Sequence, residues 1–360
     1  MDVTEPAHAA RVSAYATVGG RLSLLSDRRL KDAVAAAPSL GSGIGGRSAE
    51  MEVDGIRVFV KRVPLTDIEL RPENARSTAN VFDLPLFYQY GAGSAGFGAW
   101  RELATHIMTT GWALKNEYDG FPLLYHWRVL PDSPPAGFVD ELGGVGGAVA
   151  HWEGSPAVRR RLEAIGRSSF SLVLFLEHVP QTLAEWLGKA RAEALPEPSG
   201  ESPYRWIEKA LLRGTEFMSA RGLVHFDTHF ANLLTDGRRV YFADFGLALS
   251  RDFELSAEER AFLADHLLYD RSYAPNHLLR HHLPDGMRGD TDHGTFLREW
   301  VDGHRPGSVP ADIGAIIDRH ASHAVVLDDF HHRLLTHSKR TPFPAAALRQ
   351  ALSGASKPAE

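Results

Sequence analysis

The sequence contains no cysteine among its 360 residues. Disulfide bonds, thiolate zinc sites and cysteine nucleophiles are therefore excluded. Long apolar runs are missing as well: there is no stretch of about eighteen consecutive apolar residues, the length that a membrane-spanning helix needs. The N-terminal stretch has an acidic start and no continuous apolar region, so it does not resemble a signal peptide. We therefore expect a cytoplasmic protein without a membrane partner.

An excess of charge of one sign is also missing. Lysine and arginine number 39 against 45 aspartate and glutamate residues, which leaves a formal net charge of −6. Such a balance provides no basic surface for nucleic acid or for an anionic membrane. The apolar content of 44% and the charged content of 23% are typical of a globular protein, and the length allows about two domains. We expect no nucleic-acid partner.

Two short motifs are present, and they are separated by a predicted β-hairpin. His225, Asp227 and Asn232 form a His-x-Asp-x-x-x-x-Asn pattern, and an Asp-Phe-Gly motif begins twelve residues after the asparagine, at Asp244. The β-prone residues between them are interrupted by Asp236–Gly237, a dipeptide that favours a hairpin turn. Because a hairpin brings its two ends together, we expect Asn232 and Asp244 to face one point.

The residue types at these positions suit phosphoryl transfer. An amide oxygen and a carboxylate are hard oxygen ligands, which Mg²⁺ carrying nucleotide phosphates prefers. Asp227 lies five residues before Asn232, where its carboxylate can accept a hydroxyl proton or orient that hydroxyl for in-line attack. The alternative is an ordinary hairpin with acidic residues placed by chance, and two fixed-spacing motifs in this order argue against it.

A glycine-rich pattern and a lysine precede this region. Gly41, Gly43 and Gly46 fit Gly-x-Gly-x-x-Gly, and a predicted hairpin follows, with Lys61 at the end of its second strand. Glycines allow backbone amides to approach phosphates closely, and the lysine ammonium would bridge phosphate oxygens. A second match over residues 91–96 precedes a predicted helix rather than a strand, so we interpret it as a loop.

In their order and spacing, these motifs resemble the glycine-rich loop, the catalytic loop and the Asp-Phe-Gly motif of the protein-kinase-like superfamily. The resemblance covers about residues 40–268. It implies an α+β, bilobal protein-kinase-like fold with a β-rich N-lobe and a helical C-lobe. The implied parts are a leader with one helix over residues 1–39, the N-lobe over 40–178, the C-lobe with a helical extension over 179–353, and a disordered tail over 354–360.

The resemblance also implies ATP and Mg²⁺ as cofactors and assigns residues to them. The catalytic residues would be Asp227, Lys61, Asn232 and Asp244, of which Asn232 and Asp244 would ligate the metal ion. The nucleotide would be held by Gly41, Gly43, Gly46, Lys61 and Glu102, with backbone groups of Glu177 and Val179 at the adenine.

The sequence leaves the partner of Lys61 open. By position, the resemblance implies Glu102, which begins a helix predicted over residues 99–110. Glu69 and Glu73 are rivals in the long insertion that precedes this helix. An exposed glutamate, favoured at a helix N-terminus by the macrodipole, is the other interpretation of Glu102.

After the Asp-Phe-Gly motif the sequence departs from regulated protein kinases. About nine residues separate this motif from a helix predicted over residues 256–268, and an Ala-Pro-Glu motif is missing before it. The residue after His225 is Phe226, where an arginine would be needed to pair with a phosphorylated loop. We therefore expect constitutive activity without a phosphorylation switch.

The motifs point to two kinds of acceptor. His229, two residues after Asp227, resembles small-molecule kinases of the aminoglycoside and choline phosphotransferase type, whereas the six-residue glycine-rich loop resembles protein kinases. We expect the hydroxyl of a protein serine or threonine as the acceptor, with a small-molecule hydroxyl as the alternative. A pseudokinase or nucleotide-binding scaffold is a third hypothesis.

Residues 270–360 are predicted to be helical and contain most of the 18 histidines. His320 and His323 are one helical turn apart and could ligate a metal with Asp328 or Asp329. Because no fixed signature accompanies them, we interpret them as ordinary surface or core histidines. Two stretches are predicted to be loops: a Gly- and Pro-rich one over residues 131–147, and a Pro- and Ser-rich one over residues 190–202.

Overall fold

This computed structural model describes residues 4–43, 46–91, 93–193, 202–284 and 286–354. The tail predicted over residues 354–360 lies outside the described residues from residue 355 onward. Most of the loop predicted over residues 190–202 lies outside them as well.

The chain divides into two compact units. The first, which we call the sheet unit, comprises Met1–Val179 and Ala243–Ala257. The second, which we call the helical unit, comprises Pro180–Phe242 and Glu258–Glu360. The expected α+β class is confirmed, since a five-stranded antiparallel sheet lies in one unit and helices occur in both.

The sheet unit is built around one antiparallel sheet. Its strands are β1 (Ser39–Gly43), β2 (Gly46–Val53), β3 (Ile56–Leu65), β4 (Leu124–Pro131) and β5 (Phe170–Glu177). These five strands form a sheet with the order β1-β2-β3-β5-β4. The helices of this unit are α1 (Thr4–Ser23), α2 (Asp27–Ala36), α3 (Ala99–Leu114), α4 (Gly144–His151) and α5 (Pro156–Ile165).

Local sequence signals account for the start of this unit. Helix α2 begins after Ser26, whose hydroxyl accepts a hydrogen bond from the Arg29 amide at 3.4 Å, and it ends before Pro38. The hairpin of β2 and β3 turns at Asp54 and Gly55, whose φ angles of 49° and 80° suit a tight hairpin turn. The second helix and the hairpin predicted here are confirmed. The prediction of only one helix over residues 1–39 was wrong, because the predicted leader forms helix α1, whose buried Val18 and Leu22 pack in the core of the sheet unit.

The alternation of side chains along β3 decides where Lys61 points. Val58 and Val60 pack with α1 and α2 on one face of the sheet, while Val63 and Leu65 pack on the other face with α3. Lys61 has the same parity as Val63, so it lies on the α3 face. The prediction that Lys61 ends its strand was wrong, because Val63 and Leu65 continue the apolar alternation and extend β3.

Helix α3 packs against the sheet through its apolar side chains. Ala99, Trp100 and Leu103 share a core with β3 and β5. The helix ends at Leu114, one turn beyond the predicted end near residue 110. A single glycine inside a helix costs about 1 kcal/mol, so Gly111 does not end it when the next turn is packed.

Residues between β3 and α3 form an additional apolar core with α4 and α5. Helix α4 begins inside residues 131–147, which the sequence predicted as a loop, and this prediction was wrong. The reason is tertiary, since Ala148 and Val149 of the short, glycine-rich helix α4 are buried in this apolar core. The largest side chains of this apolar core are Phe82, Phe87, Tyr88, Phe97 and Trp152.

The helical unit contains four short strands, β6 (Gln181–Thr182), β7 (Leu223–Val224), β8 (Leu233–Thr235) and β9 (Val240–Phe242), while β10 (Leu249–Ser250) belongs to the sheet unit. Strands β6, β8 and β9 form a three-stranded sheet, and the predicted hairpin is confirmed as β8 and β9. The remaining helices are α6 (Leu183–Glu193), α7 (Pro203–Ala220), α8 (Ala257–His266), α9 (Tyr269–His281), α10 (His293–Val301), α11 (Ala311–Thr336) and α12 (Ala345–Gly354). Among the described helices, none is both long and apolar enough to cross a membrane.

Candidate functional site

Three charged side chains of the sheet unit meet at one point. Lys61 Nζ lies 2.7 Å from Glu102 Oε1 and 2.8 Å from Asp244 Oδ1. Lys61 comes from the interior of β3 and Glu102 from the first turn of α3, so the packing of α3 on the sheet brings them together. The side chains of Lys61 and Glu102 are 10% and 3% exposed, whereas that of Asp244 is 42% exposed. The site is a buried ion pair with one further carboxylate open to solvent.

Glu102 is the glutamate beside Lys61, and its two rivals lie elsewhere. Glu69 pairs with Arg161 at 2.7 Å, and its other carboxylate oxygen accepts a hydrogen bond from the first amide of α3 at 2.8 Å. Glu73 is exposed. The alternative of a surface Glu102 is wrong, because α3 buries that side chain together with Lys61.

The three charges of this group influence one another. Burial would lower the pKa of Lys61, but the carboxylates of Asp244 and Glu102 outweigh burial and raise the pKa above its ordinary value. Burial raises the pKa of Glu102, an effect that Lys61 partly offsets. The lysine is therefore held as a positive charge at a fixed position.

The Asp-Phe-Gly motif adopts an uncommon backbone conformation. Asp244 has a φ angle of 61°, and its Oδ1 accepts a hydrogen bond from the Gly246 amide at 3.3 Å. Phe245 is fully buried, with its ring centroid 4.9 Å from that of His106 on α3 and 6.1 Å from that of Phe121. A left-handed conformation outside glycine costs about 1–3 kcal/mol, and the burial of Phe245 offsets this cost.

In the helical unit, Asp227 and Asn232 are in direct contact. Asn232 Nδ2 donates hydrogen bonds to Asp227 Oδ2 at 2.9 Å and to the Asp227 carbonyl oxygen at 3.1 Å. The Asp227 amide donates to Nδ1 of the buried His225 at 3.3 Å, so His225 braces this loop. His229 Nε2 lies 3.5 Å from Asp227 Oδ1. These contacts orient the Asp227 carboxylate, which is 26% exposed and accessible to solvent.

Asp270 supports this loop, and the sequence did not reveal it. Its two carboxylate oxygens accept hydrogen bonds from the His225 amide at 2.5 Å and from the Phe226 amide at 3.0 Å. Phe226 has a φ angle of 65°, so the loop is strained at the residue that Asp270 holds. Burial raises the pKa of Asp270 to about 7, although the two backbone hydrogen bonds act against it. No local motif surrounds Asp270 in α9, and only the fold brings it to the loop.

The three glycines of the predicted phosphate-binding loop lie in β1 and β2. Gly43 pairs with Gly46 across the hairpin, whose tip, residues 44–45, lies outside the described residues. A Cβ atom on Gly46 would lie 2.3 Å from the Arg62 carbonyl oxygen, so strand packing requires glycine there. A Cβ atom on Gly41 or Gly43 would meet nothing within 4 Å. Packing therefore explains why position 46 is a glycine. It does not explain the glycines at positions 41 and 43, which agrees with the predicted phosphate-binding role of these two residues.

Arg11 ties the predicted adenine-binding backbone to helix α1. Its guanidinium donates hydrogen bonds to the two carboxylate oxygens of Glu177 at 2.9 and 2.7 Å, and to the carbonyl oxygens of Asp119 and Phe121 at 3.0 and 2.6 Å. Glu177 ends β5, and the half-buried Val179 follows two residues later. Helix α1 therefore fixes the position at which β5 ends.

The histidine pair considered as a metal site has protein partners. His320 Nε2 lies 2.6 Å from Glu208 Oε1, and His320 Nδ1 lies 2.9 Å from His323 Nε2. Burial lowers the pKa of His323 to about 3, which keeps it neutral. Asp328 instead accepts a hydrogen bond from Asn276 at 2.8 Å. Over the described ranges, no group of three or more histidine or acidic side chains is arranged to hold a metal ion, and the two histidines belong to the core.

Comparison with known proteins yields a partial match. An 87-residue segment of the chain is 39% identical to mitogen-activated protein kinase kinase kinase 20 of Arabidopsis thaliana. The aligned segment amounts to 23% of this chain and 24% of the plant protein, so the chain spans about a quarter of that relative. No protein-family model matches the chain. The similarity supports a kinase-like relationship.

Proposed function

We propose that this protein is a kinase that transfers the γ-phosphate of ATP, with Mg²⁺, to a hydroxyl group, and that it has a bilobal protein-kinase-like fold. The observation that carries the proposal is the buried Lys61 ammonium held between Glu102 and Asp244. A fixed positive charge beside a partly exposed carboxylate is suited to binding a metal-bound polyphosphate. The partial similarity to a plant kinase supports the same class of reaction.

In this proposal the protein's own residues position the reactants. Lys61 binds oxygens of the α- and β-phosphates, and Glu102 holds the ammonium in place. Asp227 accepts the proton of the attacking hydroxyl or orients that hydroxyl. Asn232 and His229 hold the Asp227 carboxylate in position through contacts of 2.9 and 3.5 Å.

Asp244 and Asn232 are the proposed ligands of Mg²⁺, and each supplies a hard oxygen donor. Asp244 offers a carboxylate that is 42% exposed. Asn232 offers its amide oxygen, since its amide nitrogen donates to Asp227. When bound, Mg²⁺ and ATP would supply the transferred phosphoryl group and neutralise its charge. The open space beside Gly41 and Gly43 would let phosphate oxygens approach the backbone of β1, while backbone groups at the end of β5 would bind adenine.

The proposed acceptor is a serine or threonine hydroxyl of a protein, on the strength of the motif order and the plant kinase similarity. A small-molecule hydroxyl is the second candidate, and one observation favours it. His229 approaches the Asp227 carboxylate at 3.5 Å, in the position where protein kinases usually carry lysine. The acceptor therefore has to be identified by a direct assay.

A labelled-ATP assay with the Asp227→Asn variant tests the proposal. Purified protein is incubated with γ-labelled ATP and Mg²⁺, with and without a generic protein acceptor. We expect the substitution to lower turnover by about 10²–10⁴-fold, the usual contribution of general acid–base catalysis, and to leave the Kd of Mg·ATP nearly unchanged. The matched control is Asp265→Asn, which changes an exposed carboxylate on α8 and should retain full turnover.

Each outcome of this assay has a distinct meaning. Label on protein that disappears in Asp227→Asn supports a protein kinase, whereas ATP consumption without protein label supports a small-molecule acceptor. Equal turnover in the variant and the wild type would refute the role of Asp227. Binding of Mg·ATP by the wild type without turnover, both with and without the protein acceptor, supports the scaffold hypothesis. The absence of both binding and turnover contradicts the proposed function.

A further inference from the structure

The chain between β3 and α3 is a folded part of the sheet unit. We call residues 66–98 the insert; all of them except Ala92 are described. The insert shares its apolar core with α4 and α5. It is also held by an ion pair between Glu69 and Arg161 of α5 at 2.7 Å, in which each side chain is 2% exposed. Because a buried ion pair and an apolar core anchor it, the insert provides a rigid surface for neighbouring chain.

That surface meets the residues that follow Asp244. We call residues 246–254 the post-Asp244 segment. Gln89 Nε2 donates a hydrogen bond to the Leu247 carbonyl oxygen, and both residues are buried. Gly96, with a φ angle of 67°, lies so close to Gly246 that a Cβ atom would be 2.3 Å from the Gly246 carbonyl oxygen. The two backbones can therefore approach this closely only with glycine at position 96.

The other end of the post-Asp244 segment is held by side chains as well. The Glu254 carboxylate accepts a hydrogen bond from Ser77 Oγ at 2.6 Å, and its amide donates to Thr78 Oγ1 at 2.8 Å. Arg101 of α3 donates through Nε to the Thr78 carbonyl oxygen at 2.7 Å, and its guanidinium lies 5.6 Å from the ring centroid of Phe253. The segment is thus bonded at both ends by the insert and by α3.

We propose that the insert is a built-in clamp: it keeps the post-Asp244 segment in one conformation and so holds Asp244 against Lys61 without covalent modification of the chain. The physical need for a clamp is the left-handed conformation of Asp244, with a φ angle of 61°, which its own sequence does not favour. Restraint then comes from tertiary contacts on the residues that follow it, the buried Phe245 and the post-Asp244 segment. The catalytic consequence rests on the proposed function, whereas the ordering of the segment does not.

The chemistry of the clamp differs from that of a phosphorylation switch. A phosphorylated loop is ordered by new ion pairs between phosphate and arginine. Here the segment is held by neutral donors and acceptors from Gln89, Ser77 and Thr78, together with close backbone packing at Gly96. These contacts are present in the unmodified chain, and so they act permanently.

Hydrogen–deuterium exchange measured by mass spectrometry tests the clamp independently of activity. We expect the amides of the post-Asp244 segment to exchange at least tenfold faster in Gly96→Ala and in Gln89→Ala than in the wild type. The matched control is Gly93→Ala, in the same loop and also at a positive φ angle of 90°. Its Cβ would meet only the flexible Leu142 side chain, so exchange in the segment should not change. Thermal unfolding of each variant verifies that it folds.

Turnover and phosphatase treatment complete the test. In parallel with exchange, kcat should fall at least tenfold in Gly96→Ala and not in Gly93→Ala. Unchanged exchange in both Gly96→Ala and Gln89→Ala would overturn the clamp, as would faster exchange in wild-type protein whose phosphate groups, checked by intact mass, have been removed. If the wild type shows no turnover at all, the proposed function fails and the exchange comparison alone decides the clamp.

Discussion

Replacing Asp270 tests how the loop that carries Asp227 is held. Asp270 is 3% exposed and accepts hydrogen bonds from the amides of two successive loop residues, His225 and Phe226. Both donors are buried, and Phe226 has the left-handed φ angle of 65°. Alanine at position 270 would leave both amides without their acceptor in a site that water does not reach.

The magnitude follows from these contacts. A hydrogen bond to a charged group contributes about 1.5–3 kcal/mol, so two of them contribute about 3–6 kcal/mol. Their loss also allows Phe226 to leave its left-handed conformation, which recovers about 1–2 kcal/mol. We therefore expect Asp270→Ala to lower the free energy of local opening by about 1–5 kcal/mol. Asp270→Asn keeps one acceptor oxygen and should lose about half as much.

Exchange of the amides of residues 225–232 at pH 8 measures this opening directly. Since about 1.4 kcal/mol corresponds to a factor of ten, exchange should accelerate about 5- to 4000-fold in Asp270→Ala, and less in Asp270→Asn. Turnover should likewise fall more in Asp270→Ala than in Asp270→Asn. The control is Asp265→Ala, which removes an exposed carboxylate from the neighbouring helix α8. Exchange in Asp270→Ala that matches this control would refute the reasoning.

The same residue has a pH signature. Burial raises the pKa of Asp270 from its ordinary value of 3.8 to about 7, so the folded protein binds this proton more tightly than the unfolded chain does. The part of the stability that is linked to this bound proton is therefore fully present below about pH 4 and is lost as the pH rises through about 7. The hydrogen bonds from the two loop amides are a separate contribution. Asp270→Asn should remove this part of the pH dependence of unfolding. Identical pH profiles for the variant and the wild type would contradict the raised pKa.

Two further predictions concern the nucleotide. Arg11→Ala removes the guanidinium that holds Glu177, so we expect the KM for ATP to rise about tenfold, equivalent to about 1.4 kcal/mol, with little change in kcat. The control is Arg21→Ala, which changes an exposed arginine of the same helix and should leave the KM for ATP unchanged. Equal KM values in the two variants would exclude this role of Arg11. Gly43→Ala should fold normally, because its Cβ meets open space, and should weaken ATP binding measured by calorimetry. Gly46→Ala should lower the thermal unfolding temperature, because its Cβ would collide with a backbone oxygen. ATP binding unaffected by Gly43→Ala would count against the phosphate-binding loop.

Sequence reasoning succeeded where the controlling interactions are local. The hairpin of β8 and β9 and the helix that starts at Asp27 are specified by turn residues, caps and alternation within a few positions. The loop interpretation of residues 91–96 is correct for the described residues 91 and 93–96, which lie in no helix or strand and lead toward α3. The assignment of Asp227, Asn232 and Asp244 to chemistry remains a prediction from motif spacing.

Sequence reasoning failed where neighbours in space are far apart in the chain. The strand predicted to end at Lys61 continues to Leu65, where it packs against α3, and the two partners of Lys61 lie 41 and 183 residues further along the chain. Asp270 carries no motif and became a candidate only when the fold placed it under the loop. The loop predicted over residues 131–147 contains the start of a helix because burial, and not propensity, stabilises its glycine-rich sequence.

The sequence by itself therefore determined the order of the motifs, the turns and caps that shape them, and the kinds of side chain available for phosphoryl transfer. Only the tertiary structure decided that Glu102 pairs with Lys61 while Glu69 pairs with Arg161. Both glutamates are equally acidic in the sequence, and what separates them is the packing of α3 on one face of the sheet. Packing of this kind depends on contacts between segments that are far apart in the chain, so no local sequence pattern predicts it.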